Sequence, residues 1–375
     1  MNVDLDSPVI GDIAAEHYEQ QRLEGLIQNI DAVRLYKHIT AEVVGQDILA
    51  ALIANKVSDS LLLEKKGKPR CSVFLSGSAG LGKTYMGEVT ARAAYPGVPE
   101  PFRIIALGEP SSPQELAMKI RGSAEKWTGG RKEGDLIDYL KANATTGGII
   151  IFDEIDKALQ QFPDQQNLFL QLLDKGNVTH EDGDPHSLEK FMVFFAANAA
   201  ADDFTKKASE LYAEHSVEID TERQRPVLVP RNSEISKPFE QLLLDEGIFK
   251  EPFTRRLDLI AGMLRPTGSE SVRLAQVILK KTLRSHFTSL DEFNDPDLKS
   301  IAGEKVMPWL LTRINDEKIG TSRAEREFLG LVEEQLADIL RARISRGLAR
   351  KFRPRLHWDE ANECPLLADA EAPYD

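Results

Sequence analysis

The feature that most constrains the fold of this chain is a glycine-rich stretch, FLSGSAGLGKTYMGE, at residues 74–88. It fits the pattern G-x-x-x-x-G-K-[ST] without a departure. Glycines let the backbone curl so that successive N–H groups point inward, and the N-terminus of a following helix favours bound phosphate. An apolar run at 72–75 and a helical pattern at 84–94 place the motif between a strand and a helix. The stretch therefore predicts a phosphate-binding loop formed by Gly77, Ser78, Ala79, Gly80, Leu81, Gly82, Lys83 and Thr84.

A second motif, GGIIIFDEIDKA, follows about 70 residues later and ends an apolar strand in two carboxylates. In such a site the ammonium of Lys83 reaches the β- and γ-phosphates, and the hydroxyl of Thr84 is a ligand of Mg²⁺. Asp153 is expected to hold the same ion through water, and Glu154 to polarise the water that attacks the γ-phosphate. Together the two motifs predict a site for ATP and Mg²⁺.

Composition sets wider limits on the class of protein. A chain of 375 residues corresponds to two or three domains. The net charge of −13 argues against a dedicated nucleic-acid binder, although it leaves room for a local basic patch. No run approaches the roughly 18 apolar residues of a membrane span. The two cysteines, Cys71 and Cys364, lack metal-ligand spacing, and the acidic N-terminus lacks the features of a signal peptide, so a cytoplasmic location is expected.

The order of patterns along the chain predicts its domains. Residues 1–36 form a polar leader with one weakly amphipathic helix. In 37–265, apolar runs at 72–75, 103–107, 148–152 and 191–196 alternate with helical segments, which predicts a parallel sheet with helices on both faces. Residues 266–375 are mostly helical, with one short strand around 356–358 before a polar tail. An insertion at about 205–240 is expected to be exposed, with a polar loop near 214–234.

The motifs resemble those of the AAA+ ATPase superfamily, and specifically its Clp-type unfoldases and disaggregases, over roughly residues 37–345. The resemblance implies the P-loop NTPase sheet followed by a smaller helical lid domain. EVVGQDILAALIANKV resembles the family's adenine-side motif, so Val43, Val44 and Gly45 are expected to line the base pocket. FMVFFAANAA resembles the first sensor strand, which implies that Asn198 orients the attacking water.

Two arginines take their expected roles from the same resemblance. EPFTRRLDLI is similar to the segment that carries the arginine finger, with Arg256 reaching the γ-phosphate bound by a neighbouring subunit. Arg255 stands where the family usually has Asn, so the assignment between these adjacent arginines stays open. KIGTSRAEREFLG resembles the start of a lid helix, where Arg323 is the second sensor.

The segment between the two nucleotide motifs bears on what the energy is used for. RGSAEKWTGGRKEGDLIDYL resembles the first pore loop of Clp proteins, with its aromatic grip on an extended chain at Trp127. The expected loop residues are Lys126, Trp127, Thr128 and Gly129. A second pore loop is expected at 180–187, with its two histidines exposed rather than bound to zinc. No Ile-Gly-Phe-like tripeptide is present in the insertion, so a protease partner is not supported.

Three hypotheses follow from these features. The first is a Mg²⁺-dependent ATPase that forms a homo-oligomeric ring, expected to be a hexamer, and that remodels, unfolds or threads proteins. The second is a nucleic-acid-linked AAA+ factor, such as a helicase loader or transposition regulator, which gains support from seven Lys or Arg residues in 341–355. The third is a scaffold that uses ATP only as a structural ligand, which the intact Lys83, Asp153 and Glu154 disfavour.

Overall fold

The structure is a computed structural model that describes most of the chain. The described residues are 31–63, 65–122, 134–180, 183–231, 234–286, 306–315, 320–346, 354–359 and 363–369. The stripe of the predicted leader helix and the predicted pore-loop residues Lys126, Trp127, Thr128 and Gly129 lie outside this set. The chain divides into two compact units between Leu264 and Arg265, and the loop Ala79–Gly82 groups with the second.

Helices and strands alternate through the first unit. Its strands, with the two that follow in the second unit, are β1 (Cys71–Ser76), β2 (Phe102–Ala106), β3 (Gly148–Asp153), β4 (Asn177–Thr179), β5 (Pro185–Ser187), β6 (Phe191–Ala197), β7 (Ser216–Asp220), β8 (Arg225–Val229), β9 (Leu259–Gly262), β10 (Pro354–Asp359) and β11 (Cys364–Asp369). The helices of the described residues are α1 (Ala32–Glu42), α2 (Asp47–Leu62), α3 (Lys83–Ala94), α4 (Pro113–Arg121), α5 (Asp135–Ala142), α6 (Ile155–Gln161), α7 (Gln166–Lys175), α8 (Ala201–Ala213), α9 (Ser236–Asp245), α10 (Glu251–Thr254), α11 (Ser269–His286), α12 (306–315) and α13 (Gly320–Ser345).

The core of the first unit is a five-stranded parallel sheet with strand order β2-β3-β6-β1-β9. Neighbouring side chains on a strand point to opposite faces. On β3, Ile151 packs against Gly87 of α3. A Cβ added to Gly87 would lie 2.8 Å from the Cδ1 atom of Ile151. The next residue, Phe152, packs edge to face on Phe169 of α7, with ring centroids 5.3 Å apart. Helices therefore cover both faces, and the predicted α/β class is confirmed.

The insertion differs from its prediction. Residues 201–245 contain a helix, a β hairpin and a second helix, whereas the sequence predicts an exposed polar loop near 214–234. Strands β7 and β8 pair in antiparallel fashion, and Arg225 fastens the hairpin to α2 through bonds of 3.1 Å to Asn55 Oδ1 and to Asp59 Oδ2. Asn55 Nδ2 returns a bond of 2.7 Å to the carbonyl of Pro226. One of the polar side chains that suggest a loop, that of Arg225, attaches the hairpin to α2.

A smaller hairpin follows α7, where β4 ends just before the predicted second pore loop at 180–187 and β5 forms its last three residues. The prediction that both of its histidines are exposed is wrong for His180, which is 2% exposed, while His186 is partly buried. The backbone of His180 closes the turn, since its N–H donates to the carbonyl of Asp184 and its carbonyl accepts from Gly183. This turn buries the His180 ring.

The second unit has its own apolar core, formed by α11, α12 and α13. On α13, Phe328 and Val332 are fully buried and Leu336 packs at the edge of the core. Strand β10 contains the predicted residues 356–358, and it pairs with β11 in a hairpin. The polar tail predicted after β10 is therefore partly a strand, Cys364–Asp369. No helix within the described ranges is both long and apolar enough to cross a membrane.

Two hydrogen bonds connect the side chain of Gln46 to the backbone of Leu264, the last residue of the first unit. The amide of Gln46, at the start of α2, donates to the Leu264 carbonyl at 2.8 Å and accepts from the Leu264 N–H at 3.1 Å. Gln46 is only 2% exposed, so its amide depends on these bonds. The pair joins a side chain at the start of α2 to the backbone of a residue 218 positions later, at the end of the unit.

We expect Gln46→Ala to lower the free energy of unfolding by about 1 to 2 kcal/mol, because two polar groups of Leu264 lose their partner. Denaturant titration of tryptophan fluorescence and circular dichroism measures the change. Gln241→Ala is the matched control, since Gln241 is exposed on α9 and bonds only to Asp245, and its effect should stay within about 0.5 kcal/mol. Equal losses for the two variants would contradict a special role for Gln46.

Candidate nucleotide site

The phosphate loop connects the end of β1 to the start of α3. Gly80 and Gly82 have φ angles of 82° and 86°, in the left-handed region that a side chain disfavours, which explains why glycine stands at both positions. Ser76, the last residue of β1, donates from its hydroxyl to the Ala199 carbonyl at 2.5 Å. This bond attaches the base of the loop to the chain that follows β6.

Lys83 connects the phosphate loop to Asn198. Its ammonium donates to the carbonyls of Gly77 and Ser78 at 2.7 and 3.0 Å and to Asn198 Oδ1 at 2.8 Å, which uses all of its N–H groups. The side chain is buried, and desolvation lowers the pKa of Lys83 to about 8. The nearby carboxylates, Asp153 first among them, act in the opposite direction and favour the charged form.

Thr84 and Asp153, the residues predicted to bind Mg²⁺, are in direct contact. Thr84 Oγ1 donates to Asp153 Oδ2 at 2.9 Å, which joins the first turn of α3 to the end of β3. A hydroxyl and a carboxylate are hard oxygen ligands, the kind that Mg²⁺ prefers, and Mg²⁺ sites use few protein ligands beside water and phosphate oxygens. The donor set fits Mg²⁺ held between Thr84 and Asp153.

Glu154 has an unusual backbone at the boundary between β3 and α6. Its φ and ψ are 59° and 37°, a left-handed conformation that is uncommon outside glycine and that occurs at functional sites. Its N–H donates to Asp153 Oδ1 at 3.0 Å, and its carboxylate pairs with the ammonium of Lys157. A Cβ added to Gly108 would lie 2.0 Å from Glu154 Oε2, so a side chain at 108 would move this carboxylate from its position.

Asn198 lies directly after β6 and forms hydrogen bonds through both its side chain and its backbone. Its amide oxygen accepts the bond from Lys83, and its backbone N–H donates to Asp156 Oδ2 at 3.1 Å. The predictions do not include Asp156, Lys157 or Gly108. For Asp156 the available signal is a third acid in DEID, while Lys157 and Gly108 have no pattern of their own in the sequence.

The residues expected to contact the base lie between α1 and α2. Val43 and Val44 are each 6% exposed, and Gly45 has a φ of 76°. The preceding Glu42 accepts a hydrogen bond of 2.7 Å from the hydroxyl of Tyr85, the residue after Thr84. This bond ties the base-side segment to the helix that carries the phosphate loop.

The three arginines occupy different environments. Arg256 donates from Nε to Asp174 Oδ1 at 2.5 Å, and this bond raises the pKa of Arg256. Arg255 is 70% exposed and pairs with Glu251 in the same turn. Arg323 belongs to the second unit, where its side chain is 66% exposed and pairs with Glu327. Each guanidinium is thus held by a carboxylate of its own unit.

Comparisons with known proteins agree with this fold and site. Residues 68–246 match the family described as AAA domain (Cdc48 subfamily). The chain is 26% identical to the ATP-dependent Clp protease ATP-binding subunit ClpE of Bacillus subtilis over 61% of this chain and 32% of that protein. It is 28% identical to the human mitochondrial disaggregase over 55% of this chain and 30% of that protein.

A likeness to solved structures extends over more of the chain. A closed-state cryo-EM reconstruction of Hsp104 with ATPγS and FITC-casein matches with a TM-score of 0.63 at 18% identity, over 90% of this chain and 52% of that chain. A complex of S. cerevisiae Hsp104 with casein, in an extended conformation, matches equally well, with a TM-score of 0.63. At this identity the likeness shows the fold. The chain spans about a third of the length of the curated relatives it matches.

The fold and site define the class of protein. A parallel sheet that joins a phosphate loop to an acidic strand end and a polar strand end is the architecture of a P-loop nucleoside triphosphatase. Residues 68–246 match the AAA domain family, and the chain is similar over this part to Clp-type AAA+ proteins.

Two variants should separate nucleotide binding from hydrolysis. Lys83→Ala should abolish ATP binding, because the phosphates lose their buried cation. Glu154→Gln should bind ATP and slow its hydrolysis by about 10²-fold or more, because only the activation of water is lost. A fluorescent ATP analogue and a phosphate-release assay measure the two steps.

Glu109→Gln is the control for Glu154→Gln, because Glu109 is an exposed carboxylate that pairs with Lys119. It should turn over ATP like the unmodified protein. Wild-type turnover by Glu154→Gln would show that Glu154 is not the base.

Proposed function

We propose that this chain hydrolyses ATP within a ring of like subunits and uses the energy to remodel, unfold or thread proteins. The observation that carries the proposal is the meeting of Lys83, Asp153 and Asn198 at one edge of a Clp-type AAA+ sheet. Relatives named as chaperones and disaggregases support protein as the substrate. The Hsp104 structures with casein support it further.

In this proposal ATP binding replaces the partners of Lys83. The loop carbonyls and Asn198 Oδ1 occupy the ammonium, and phosphate oxygens take it over because they carry full negative charge. Mg²⁺, when bound, neutralises charge that develops on the phosphates. Thr84 and Asp153 would hold that ion, and Asn198, once released from Lys83, would orient the attacking water.

Glu154 must then exchange its own partner. Its carboxylate pairs with Lys157, so it becomes a base for the attacking water only after it leaves that ammonium. The pair is half exposed, and such pairs contribute little to stability, so the exchange has a low cost. The left-handed backbone and the space above Gly108 allow the side chain to lie toward the site.

Arg256 is proposed as the arginine finger of a neighbouring subunit, and the ring as a hexamer. Its guanidinium donates to Asp174 and to the Pro252 carbonyl, and a γ-phosphate from another subunit can replace the Asp174 carboxylate. Arg255 stays the alternative finger. Arg323 is proposed as the second sensor, which exchanges Glu327 for nucleotide.

The proposed grip on substrate is the segment with Lys126, Trp127, Thr128 and Gly129. The described chain on its two sides comes together, because a Cβ on Gly134 would lie 2.6 Å from the N atom of Gly122. Gly122 and Gly134, the described residues on the two sides of this segment, are therefore neighbours. A Trp ring can hold an extended chain through apolar contact that needs no particular sequence.

The nucleic-acid alternative loses part of its support. Of the described arginines in the basic run, Arg343 is 7% exposed and Arg341 pairs with Asp338. A phosphate-binding patch needs several exposed cations together. Protein therefore stays the preferred substrate.

A subunit-mixing experiment tests the shared site. Arg256→Ala should keep ATP binding and lose roughly 10³-fold or more in turnover, as arginine fingers do. Mixed with inactive Lys83→Ala subunits, it should recover part of the activity, because each variant supplies what the other lacks. Phosphate release by mixed rings, whose mixing is verified by two affinity tags, measures the recovery.

Arg255→Ala is the matched neighbour for this experiment. It should retain activity alone, since its side chain pairs only within its own turn. No recovery in verified mixed rings would contradict a site shared between subunits. Loss with Arg255→Ala alone, with recovery on mixing, would move the finger by one residue.

Trp127 separates the two substrate classes. Trp127→Ala should abolish the stimulation of ATP hydrolysis by an unfolded protein and the unfolding of a tagged test protein, because the apolar grip is gone. Trp127→Tyr should keep much of both, since a ring of similar reach remains. The ratio of stimulated to basal turnover is measured with unfolded protein and, separately, with single- and double-stranded DNA. Stimulation by DNA alone, unchanged by Trp127→Ala, would overturn protein threading.

A further inference from the structure

A buried carboxylate, Asp156, lies behind the site and has no role in the steps above. It stands in the first turn of α6 and is 5% exposed. Its Oδ2 accepts the backbone N–H of Asn198 at 3.1 Å, while its Oδ1 has no hydrogen-bond partner among the described residues. Burial raises the pKa of Asp156, and the bond from Asn198 opposes that rise. A carboxylate kept at such a cost is expected to serve a purpose beyond packing.

The surroundings of Asn198 indicate that purpose. Asn198 is the first residue after β6, and Ala200 has a left-handed φ of 47°, so the chain turns sharply at this point. The backbone of Asn198 is bound to α6 through Asp156, and its side chain is bound to α3 through Lys83. One residue thus joins the helix after the acidic strand to the helix after the phosphate loop.

We propose that Asp156 is a positioning residue that holds the Asn198 backbone in place while the Asn198 amide exchanges Lys83 for the attacking water. This inference rests on the proposed role of Asn198. During the exchange the side chain loses the bond that fixes it, and only the backbone bond to Asp156 remains. A shift of about 1 Å in a water-orienting group can cost about 10²-fold in rate.

The test compares kcat, KM and ATP affinity in three variants and a double variant. Asp156→Ala should lower kcat about 10- to 100-fold and leave ATP affinity nearly unchanged, because Lys83 still binds phosphate. Asn198→Ala should lower kcat at least as much. The double variant should be no slower than Asn198→Ala, because Asp156 acts only through Asn198.

Asp156→Asn keeps an oxygen for the Asn198 N–H without the buried charge, so it should retain most of kcat. It also serves if Asp156→Ala does not fold, since a loss in Asp156→Asn as large as in Asn198→Ala would contradict positioning through this bond. Thermal unfolding of each variant with ATP identifies losses that come from the fold alone.

Additive losses in the double variant would overturn the role of Asp156 and leave that of Asn198 intact. Wild-type kcat in Asn198→Ala would overturn both roles. Unchanged kcat in Asp156→Ala, together with a reduced kcat in Asn198→Ala, would overturn the inference alone.

Discussion

The site depends on how one buried ammonium is satisfied. Lys83 starts the helix that follows β1, and its partners come from the loop before it and from Asn198, which follows β6. Burial disfavours its charge and lowers its pKa to about 8, so the oxygens around it must compensate. These oxygens converge because β1 lies beside β6 and β6 beside β3, all parallel, with their carboxyl ends at one edge.

In the same arrangement the polar groups of the site pair with one another. Thr84 binds Asp153, Glu154 binds Lys157, and Lys83 binds Asn198. In the proposed reaction, nucleotide and metal would enter by exchange, and each proposed catalytic group would become available as its protein partner is replaced. In this proposal ATP must bind before Asn198 and Glu154 can act, because each side chain is released only when another group takes its place at the cation. We infer that this couples occupancy to catalytic competence.

Sequence patterns predict the parts of this molecule whose residue types and spacing are set by phosphate binding or by burial in the sheet. The phosphate loop, the acidic strand end and four strands of the sheet follow from apolar runs bounded by motifs whose spacing phosphate binding dictates. The fifth strand, Leu259–Gly262, is too short for its apolar run to be recognised. The hairpin at 216–229 is not predicted because its polar side chains, Arg225 among them, suggest a loop. Gly108 and Asp156 escape notice for another reason, since their importance comes from neighbours distant in sequence.

The central claim is that ATP is bound between subunits and drives a protein chain through the ring. Electron microscopy of Glu154→Gln with ATP and an unfolded protein tests it most directly. The account predicts a closed ring with the guanidinium of Arg256 from one subunit at the γ-phosphate held by Lys83 of the next. It also predicts an extended polypeptide in the channel against Trp127. ATP held by single subunits with Arg256 still bound to Asp174, or nucleic acid in the channel, would contradict it.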